Sequence, residues 1–509
     1  MRLGAVCAAF ALAAGAARAQ RAVTAADSAL VRRILQAEDA RDSSSTAFAE
    51  GVRSDDPRIR TIAKRAEGRV RDAQFAARDS LPALPAPPVY ADPAWRMRYR
   101  ALTRPDCATV RTALADSAWP VRLRAADLAT PDCAAGSAII RTLRAWADAV
   151  PATGARRSGG AGWQPAAHAI AALAKVTPRY AAMALPRFAS SRVPWVRVYA
   201  ARAAGTLRDT AVLRTLARDA DDNVKEAALN ALATMGHVGD GEAITALAAH
   251  GHQAVRAAAR ALQGSPRGSQ AMPALLAAAR RLSDEKSETS RDARMAVLDR
   301  IGEFASAANA ADVAALASDF DCVVAAAAAK IAARLGDAGA TTRCTPLAST
   351  LPRDAVALAL GGEVRLRVTL ADSSGGGSFV VRLRGDAAPI MAARVLELVR
   401  ARAYDNHVWY RVEHDFVLQG GGPGANEYDG FPRFIRDELG GVPNVRGTVG
   451  MSTRGHDTGD AQWFINLRDN RRLDRDYSVF AAVVSGIEVV DGILEGDVVK
   501  TVKEERGAR

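Results

Sequence analysis

The sequence predicts a multidomain chain. An all-α solenoid of stacked helix pairs comes first, followed by a closed antiparallel β-barrel with helices over its openings. Three observations predict this. Between residues 116 and 336 one frame recurs: polar or proline residues, then Val followed by Arg or Lys, then small apolar residues at helical spacing. From residue 361 the apolar period becomes two, as a half-buried strand requires. The composition is globular, with 49% hydrophobic and 24% charged residues among 509, and its low aromatic content of 5% and abundant alanine suit closely packed helices.

The chain opens on MRLGAVCAAFALAAGAARA (1–19). Arg2 supplies a charged start, Leu3 to Gly15 an apolar core, and Ala17-Arg18-Ala19 a small-x-small cleavage site before Gln20. This is the pattern of a secretory signal peptide. The apolar run is too short to span a membrane, and Cys7 lies inside it, where lipidation is not expected. The expectation is an exported protein, periplasmic or extracellular, without a membrane span. Four cysteines follow the cleavage site: Cys107, Cys133, Cys322 and Cys344. An oxidising compartment permits disulfides. The pairs 107–133 and 322–344 are local in sequence, but four cysteines allow three connectivities, and four small buried thiols are the competing reading.

Residues 20–345 read as the solenoid. SALVRRILQAEDARD carries one apolar stripe, and SDDPRIRTIAKRAEGRV begins with acidic residues and a proline, a good helix start. LPALPAPPVYADP (81–93) is proline-rich and reads as an extended connector. The repeated frame then appears in DSAWPVRLRAADLA (116–129), SSRVPWVRVYAARAAGTL (190–207), DADDNVKEAALNALATMG (219–236) and HGHQAVRAAARALQG (250–264), with a degenerate copy at 320–336. Val196, Val224 and Val255 lie 28 and 31 residues apart. This resembles the short HEAT-type repeat, in which each helix pair needs neighbours to cover its apolar stripe. PATGARRSGGAGWQP (151–165) reads as an exposed Gly-rich loop. Residues 346–360 read as a linker, 361–503 as a second domain that should fold alone, and 504–509 as a tail.

In the second domain EVRLRVTL, an SSGGG turn and SFVVRLR form a hairpin, and APIMAARVLELVRARA is an amphipathic helix opened by Pro389. Short strands then alternate with Gly- and Pro-rich loops. Two runs carry the chemistry: WYRVEHDFVLQGG (409–421) and GTVGMSTRGHDTGDAQWFINLRDNRRLDRDYSVF (447–480). They supply one guanidinium (Arg411) expected to be buried, two amides (Gln419 and Gln462), and an apolar floor of Phe416, Val417, Phe464, Leu473 and Tyr477. The set contains no acid–base pair, metal site or activated nucleophile. It suits a peptide bond that is polarised and held, with no bond broken.

These runs resemble the cyclophilin-type peptidyl-prolyl isomerases. That family reads F-H-R, F-M-x-Q-G-G, M-A-N, S-Q-F-F-I, W-L-D and V-F-G, where this chain has W-Y-R, F-V-L-Q-G-G, M-S-T, A-Q-W-F-I, R-L-D and V-F-A. The departures fall at Tyr410, Val417, Thr453, Arg472 and Tyr477. The resemblance spans about 361–503. It implies an enzyme that interconverts cis and trans X-Pro bonds without a cofactor. Arg411, Gln419 and Gln462 would be its catalytic residues. Phe416, Val417, Phe464, Leu473 and Tyr477 would hold the proline, with Ser452 and Thr453 as further substrate contacts.

Other chemistries lack their residues. GGGPGANE (420–427) has neither a strand–loop–helix context nor a lysine for phosphate. His250 and His252 stand without further ligands, and His407, His414 and His456 without cysteine or paired carboxylates, so no metal is expected. The formal charge is +12, while residues 361–509 hold 20 Lys and Arg against 22 Asp and Glu, so the excess lies in the helical part. Its arginines are dispersed at helical spacing without basic blocks, which reads as solvated helix faces and not a nucleic-acid surface. The expected partners are proline-containing polypeptide clients, exported proteins among them, with a possible protein partner on the repeats. The alternative is a non-catalytic proline-peptide-binding or scaffold protein carrying the same module.

Overall fold

A computed structural model of the protein describes residues 21–72, 83–135, 137–155 and 160–505. The segment 1–20, read as a signal peptide with its cleavage site and holding Cys7, lies outside the described residues. So do 81–82 of the connector, 156–159 of the Gly-rich loop and 506–509 of the tail.

The chain begins with α1 (Ala25–Asp39), α2 (Thr46–Val52) and α3 (Pro57–Arg71). Asp56 caps α3 by accepting the Arg58 N–H, with Pro57 in the first turn, as its sequence leads one to expect. A helical array follows. Its first part comprises α4 (Ala94–Ala101), α5 (Cys107–Ala113), α6 (Trp119–Asp127), α7 (Ser137–Asp148), α8 (Gln164–Val176), α9 (Pro178–Ala189), α10 (Pro194–Leu207) and α11 (Thr210–Leu216). The second part comprises α12 (Asp222–Ala233), α13 (Asp240–Ala246), α14 (His252–Ala261), α15 (Gly268–Asp284), α16 (Arg291–Phe304), α17 (Ala310–Ala315) and α18 (Cys322–Arg334).

In this array α8, α10, α12, α14, α16 and α18 pack side by side as one layer, and α9, α11, α13, α15 and α17 back them. The recurring Val196, Val224 and Val255 are fully buried between layers, and the alanines around them let the helices approach. The basic residues after those valines are not simply solvated, as the sequence reading expected. Arg197 forks onto Asp219 at 2.7 and 2.8 Å, linking adjacent units, and Arg256 lies over the Tyr428 ring at 4.3 Å. Disulfides join Cys107 to Cys133 and Cys322 to Cys344. No helix among the described residues is long and apolar enough to cross a membrane.

The C-terminal domain contains α19 (Ala355–Ala359), β1 (Arg365–Leu370), β2 (Ser378–Leu383), α20 (Pro389–Arg400), β3 (Trp409–Val412) and β4 (Val417–Gly420). It continues with β5 (Thr448–Met451), β6 (Trp463–Asn466), β7 (Val479–Ser485), α21 (Ile487–Asp491) and β8 (Val499–Glu504). The strands form one antiparallel sheet in the order β3-β4-β6-β5-β7-β2-β1-β8. The expected closed barrel is a half-barrel. Its edge strands β3 and β8 make no ladder: around the isolated bridge Val408↔Val498, backbone bonds join Asn406 and His407 to Val499, and Trp409 to Gly496 and Asp497, and this contact reaches only Trp409, the first residue of β3.

Two expected boundaries also move. The solenoid is expected from residue 20, but α1–α3 pack on the C-terminal domain. Val31, Ile34, Leu35, Phe48, Ile59 and Ile62 share one buried cluster with Leu366, Val368, Leu396 and Val483. Arg69, 2% exposed, binds Glu38 at 2.9 Å and the carbonyls of Leu439 and Ala387. The expected linker 346–360 contains α19, whose Ala355, Val356 and Leu358 are buried in that cluster. The apolar stripe on α1–α3 is real, but its partner lies some 300 residues away, which periodicity cannot reveal.

Candidate active site

Arg411, Gln419 and Phe464 sit on three adjacent strands. Gln419 of β4 pairs across to Arg411 on β3 and to Phe464 on β6. Between Trp409↔Gly420 and Arg411↔Gln419 the register advances by two residues on β3 and one on β4, so Tyr410 is the extra residue of a β-bulge. Without the bulge, alternation would point Tyr410 and Arg411 to opposite faces. With it, both reach Gln419. Gln419 Nε2 donates to the Tyr410 hydroxyl at 2.8 Å and to Ser452 Oγ at 2.7 Å, while Arg411 Nη1 donates to Gln419 Oε1 at 3.3 Å. The Tyr410 hydroxyl in turn donates to Gln462 Oε1 at 2.6 Å. Burial drives the Tyr410 hydroxyl well above its usual pKa, so it stays a donor.

Gln462, 1% exposed, is fixed at both ends. Its backbone N–H and Nε2 reach the two oxygens of Asp460 at 3.0 and 3.1 Å, and its carbonyl accepts the Ser452 N–H at 2.8 Å. The Asp460 carboxyl is raised by its burial. Ser452 thus joins the network by side chain and backbone. Thr453 lies beside it, with its side chain outside the network.

The expected buried guanidinium is not buried. The Arg411 side chain keeps 44% of its surface because β3 is an edge strand. Glu413, the first residue past the end of β3, receives Nε at 2.8 Å and also Nη2. Glu413 is a residue missing from the sequence-predicted set, and its i,i+2 spacing from Arg411 is the signal for it in the sequence. Below the guanidinium, Val417, Phe464 and Leu473 form a small buried cluster, flanked by Phe416 and Tyr477. Phe464 and Tyr477 meet edge to face at 5.6 Å. The Phe416 carbonyl accepts Asn470 Nδ2 at 3.1 Å and the Leu467 N–H at 3.0 Å, which holds this loop in place. Arg472 lies over the Phe416 ring at 4.7 Å and Arg411 at 5.8 Å from its centroid. All ten sequence-predicted site residues therefore cluster on one end of the half-barrel. Tyr410, Glu413, Asp460 and Asn470 support them.

Residues 367–507 match the family model described as cyclophilin type peptidyl-prolyl cis-trans isomerase/CLD. The chain is 33% identical over 151 residues to a peptidyl-prolyl cis-trans isomerase of Acinetobacter baylyi, covering 27% of this chain and 80% of that protein. It is 34% identical over 128 residues to peptidyl-prolyl cis-trans isomerase B of Escherichia coli, covering 23% and 78% respectively. A Helicobacter pylori peptidyl-prolyl cis-trans isomerase is 32% identical over 130 residues, with 25% and 80% covered. Through its C-terminal domain the chain belongs to the cyclophilin-type peptidyl-prolyl cis-trans isomerase family, and it is an enzyme of that type.

Proposed function

We propose that this protein isomerises X-Pro bonds in exported polypeptides, with Arg411 as the catalytic donor and the helical array, read as HEAT-like, as the part that holds the client. In the planar amide the nitrogen lone pair is delocalised. As the bond twists through its barrier of roughly 18–20 kcal/mol, that lone pair localises on the prolyl nitrogen. A donor placed there is worth more to the twisted state than to the planar one, which is the condition for acceleration. The apolar cluster of Val417, Phe464 and Leu473 with Phe416 and Tyr477 takes the prolyl ring. Gln419 and Gln462 hold the adjoining backbone, and Ser452 and Thr453 border it. The observation that carries this reading is the chain of bonds Arg411–Gln419–Tyr410–Gln462, which aims one half-exposed guanidinium over an apolar pocket.

The leader-like segment 1–19 supports export to the periplasm or the cell exterior, and export selects the client class. Uncatalysed isomerisation takes tens to hundreds of seconds and can limit folding there. The test is nuclear magnetic resonance exchange on an X-Pro peptide with residues 20–509, together with Arg411→Ala. Catalysis by the parent protein, lost in the variant, is the expected result. No exchange with the parent protein would leave the proline-peptide-binding scaffold standing. Secretion of the protein with a new N-terminus at Gln20 tests the location.

A further inference from the structure

The domain docks against the array in a way that extends its site. The 424–429 loop is seated on α12 and α14. Asn223 Nδ2 donates to the Gly424 carbonyl at 3.0 Å, Asn426 Nδ2 reaches Asn223 Oδ1 at 3.2 Å, and the His252 N–H reaches Asp429 at 2.6 Å. Further along, Gln164 Nε2 donates to the Glu495 carbonyl at 2.9 Å and the Tyr199 hydroxyl to the Glu495 carboxylate at 2.8 Å. Between these two seams a groove of about 870 Å³ stays open. Tyr410 and Arg411 line one side, and Trp195, Arg202, Glu226 and Asn230 line the other. A polypeptide lying in the Arg411 site therefore runs on against the array.

We infer that α10 and α12 form a second wall of the substrate groove, and that Glu226 selects substrates with a lysine or arginine beside the X-Pro bond. This rests on the isomerase reading of Arg411 and deepens it. The cations around the groove already have partners. Arg411 is held by Glu413, Arg202 lies 4.4 Å over the Tyr199 ring, and Arg256 lies over Tyr428. Glu226 makes no hydrogen bond or ion pair among the described residues, and Glu427 lines the same groove. A half-buried carboxylate without a partner is costly, and an incoming cation removes that cost. Burial first, then Glu427 and Asp429, push the Glu226 carboxyl up to about 7 against the pull of Arg256 on α14 and Arg202 on α10. The preference should therefore be strong above that pH, where Glu226 is ionised, and fade below it.

The experiment uses residues 20–509 and peptides of one sequence with Lys, Gln or Glu at each position flanking the X-Pro pair, with isomerisation followed by exchange spectroscopy. At pH 8 the Lys peptide should be favoured over the Gln peptide in kcat/KM at one or more positions by roughly fivefold, the factor expected of one half-exposed ion pair. The ratio should shrink at pH 6. Glu226→Gln should bring it close to one, and Glu226→Lys should reverse it towards the Glu peptide. Equal rates on all three peptides, with isomerisation itself intact, would overturn the inference and leave the isomerase reading untouched. So would a Lys preference that survives in Glu226→Gln. Absence of catalysis on every peptide would sink both.

Discussion

Arg411 is held on two sides, by Glu413 and Gln419, and its charge sits above an apolar floor. If Arg411 is the donor proposed for the twisted state, replacing it with alanine should lower kcat/KM roughly a hundredfold, the scale for loss of one oriented electrostatic donor. The melting temperature should hardly change, since the side chain is half-exposed. Arg411→Lys should recover little, because an ammonium cannot bridge Glu413 and Gln419 as a planar fork does. Tyr410→Phe tests a different link. It removes the hydroxyl that joins the two glutamines and strands the Gln462 acceptor in a buried site. The cost should be about 1–3 kcal/mol in denaturant stability, with a smaller kinetic loss than Arg411→Ala because the donor itself stays. A Tyr410→Phe protein with unchanged stability would show that the relay does not hold the amides in place. The identity of these residues was legible in the two sequence runs. Their linkage was not, since Tyr410 counted only as a departure from the family pattern and Glu413 drew no notice.

At the scale of elements, two local features position the pocket. The bulge at Tyr410 turns neighbouring side chains towards one glutamine, and no residue type announces it, because bulges depend on the partner strand's register. Gly450, on β5, is the second feature, and the sequence runs do not mark it. It faces Phe464 across the ladder, and a Cβ built on it would lie 2.3 Å from the Phe464 ring. Gly450→Ala should therefore push Phe464 out of its apolar cluster with Val417 and Leu473, the pocket proposed for the proline. We expect about 1–3 kcal/mol of destabilisation from overpacking and a raised KM, measured by urea unfolding and substrate titration. An unchanged KM would mean that Phe464 does not wall the proline. The half-barrel shows the same limit of pattern reading. Alternation identified β1, β2 and their hairpin, but closure is a property of how the edge strands meet, and β3 and β8 touch only where 406–409 face 496–499.

At the scale of the whole molecule, the sequence divides more cleanly than the structure. Helical and strand periods marked the two halves, yet which helices cover which core is a long-range fact. Residues 355–509 alone should not melt cooperatively, against the expectation that they fold as a unit. They would expose the surface that Val31, Ile34, Leu35, Phe48, Ile59 and Ile62 cover, each worth roughly 1.5–3 kcal/mol of burial, against a total domain stability of about 5–15 kcal/mol. A sharp thermal transition in that fragment would reassign α1–α3 to an accessory role. The junction with α4 makes the second test, and it is one of pH. His414 is 6% exposed, packs edge-on against Trp95 at 5.5 Å and Tyr99 at 5.8 Å, and its Nδ1 has no hydrogen-bond partner. Burial, then the nearby Arg96 and His168, push it down to about 3. Arg96 is itself fixed there, bound to Asp92 and Asp491 at 2.8 Å each and to the Leu467 carbonyl at 2.7 Å, so the folded protein cannot move this positive charge away. The unfolded chain takes up a proton on this histidine near pH 6.5 and the folded one does not. Its contribution to stability is thus complete above about pH 6.5 and is lost as pH falls, by about 1.4 kcal/mol per unit, or roughly 2 kcal/mol by pH 5. Carboxylates titrate in the same range, so the informative quantity is a difference. His414→Phe keeps an aromatic edge against Trp95 and Tyr99, gives up no Nδ1 bond and cannot be protonated. Its unfolding free energy relative to the parent should rise steadily from pH 7 to pH 5, and a constant difference across that range would show that His414 is not held neutral at this junction.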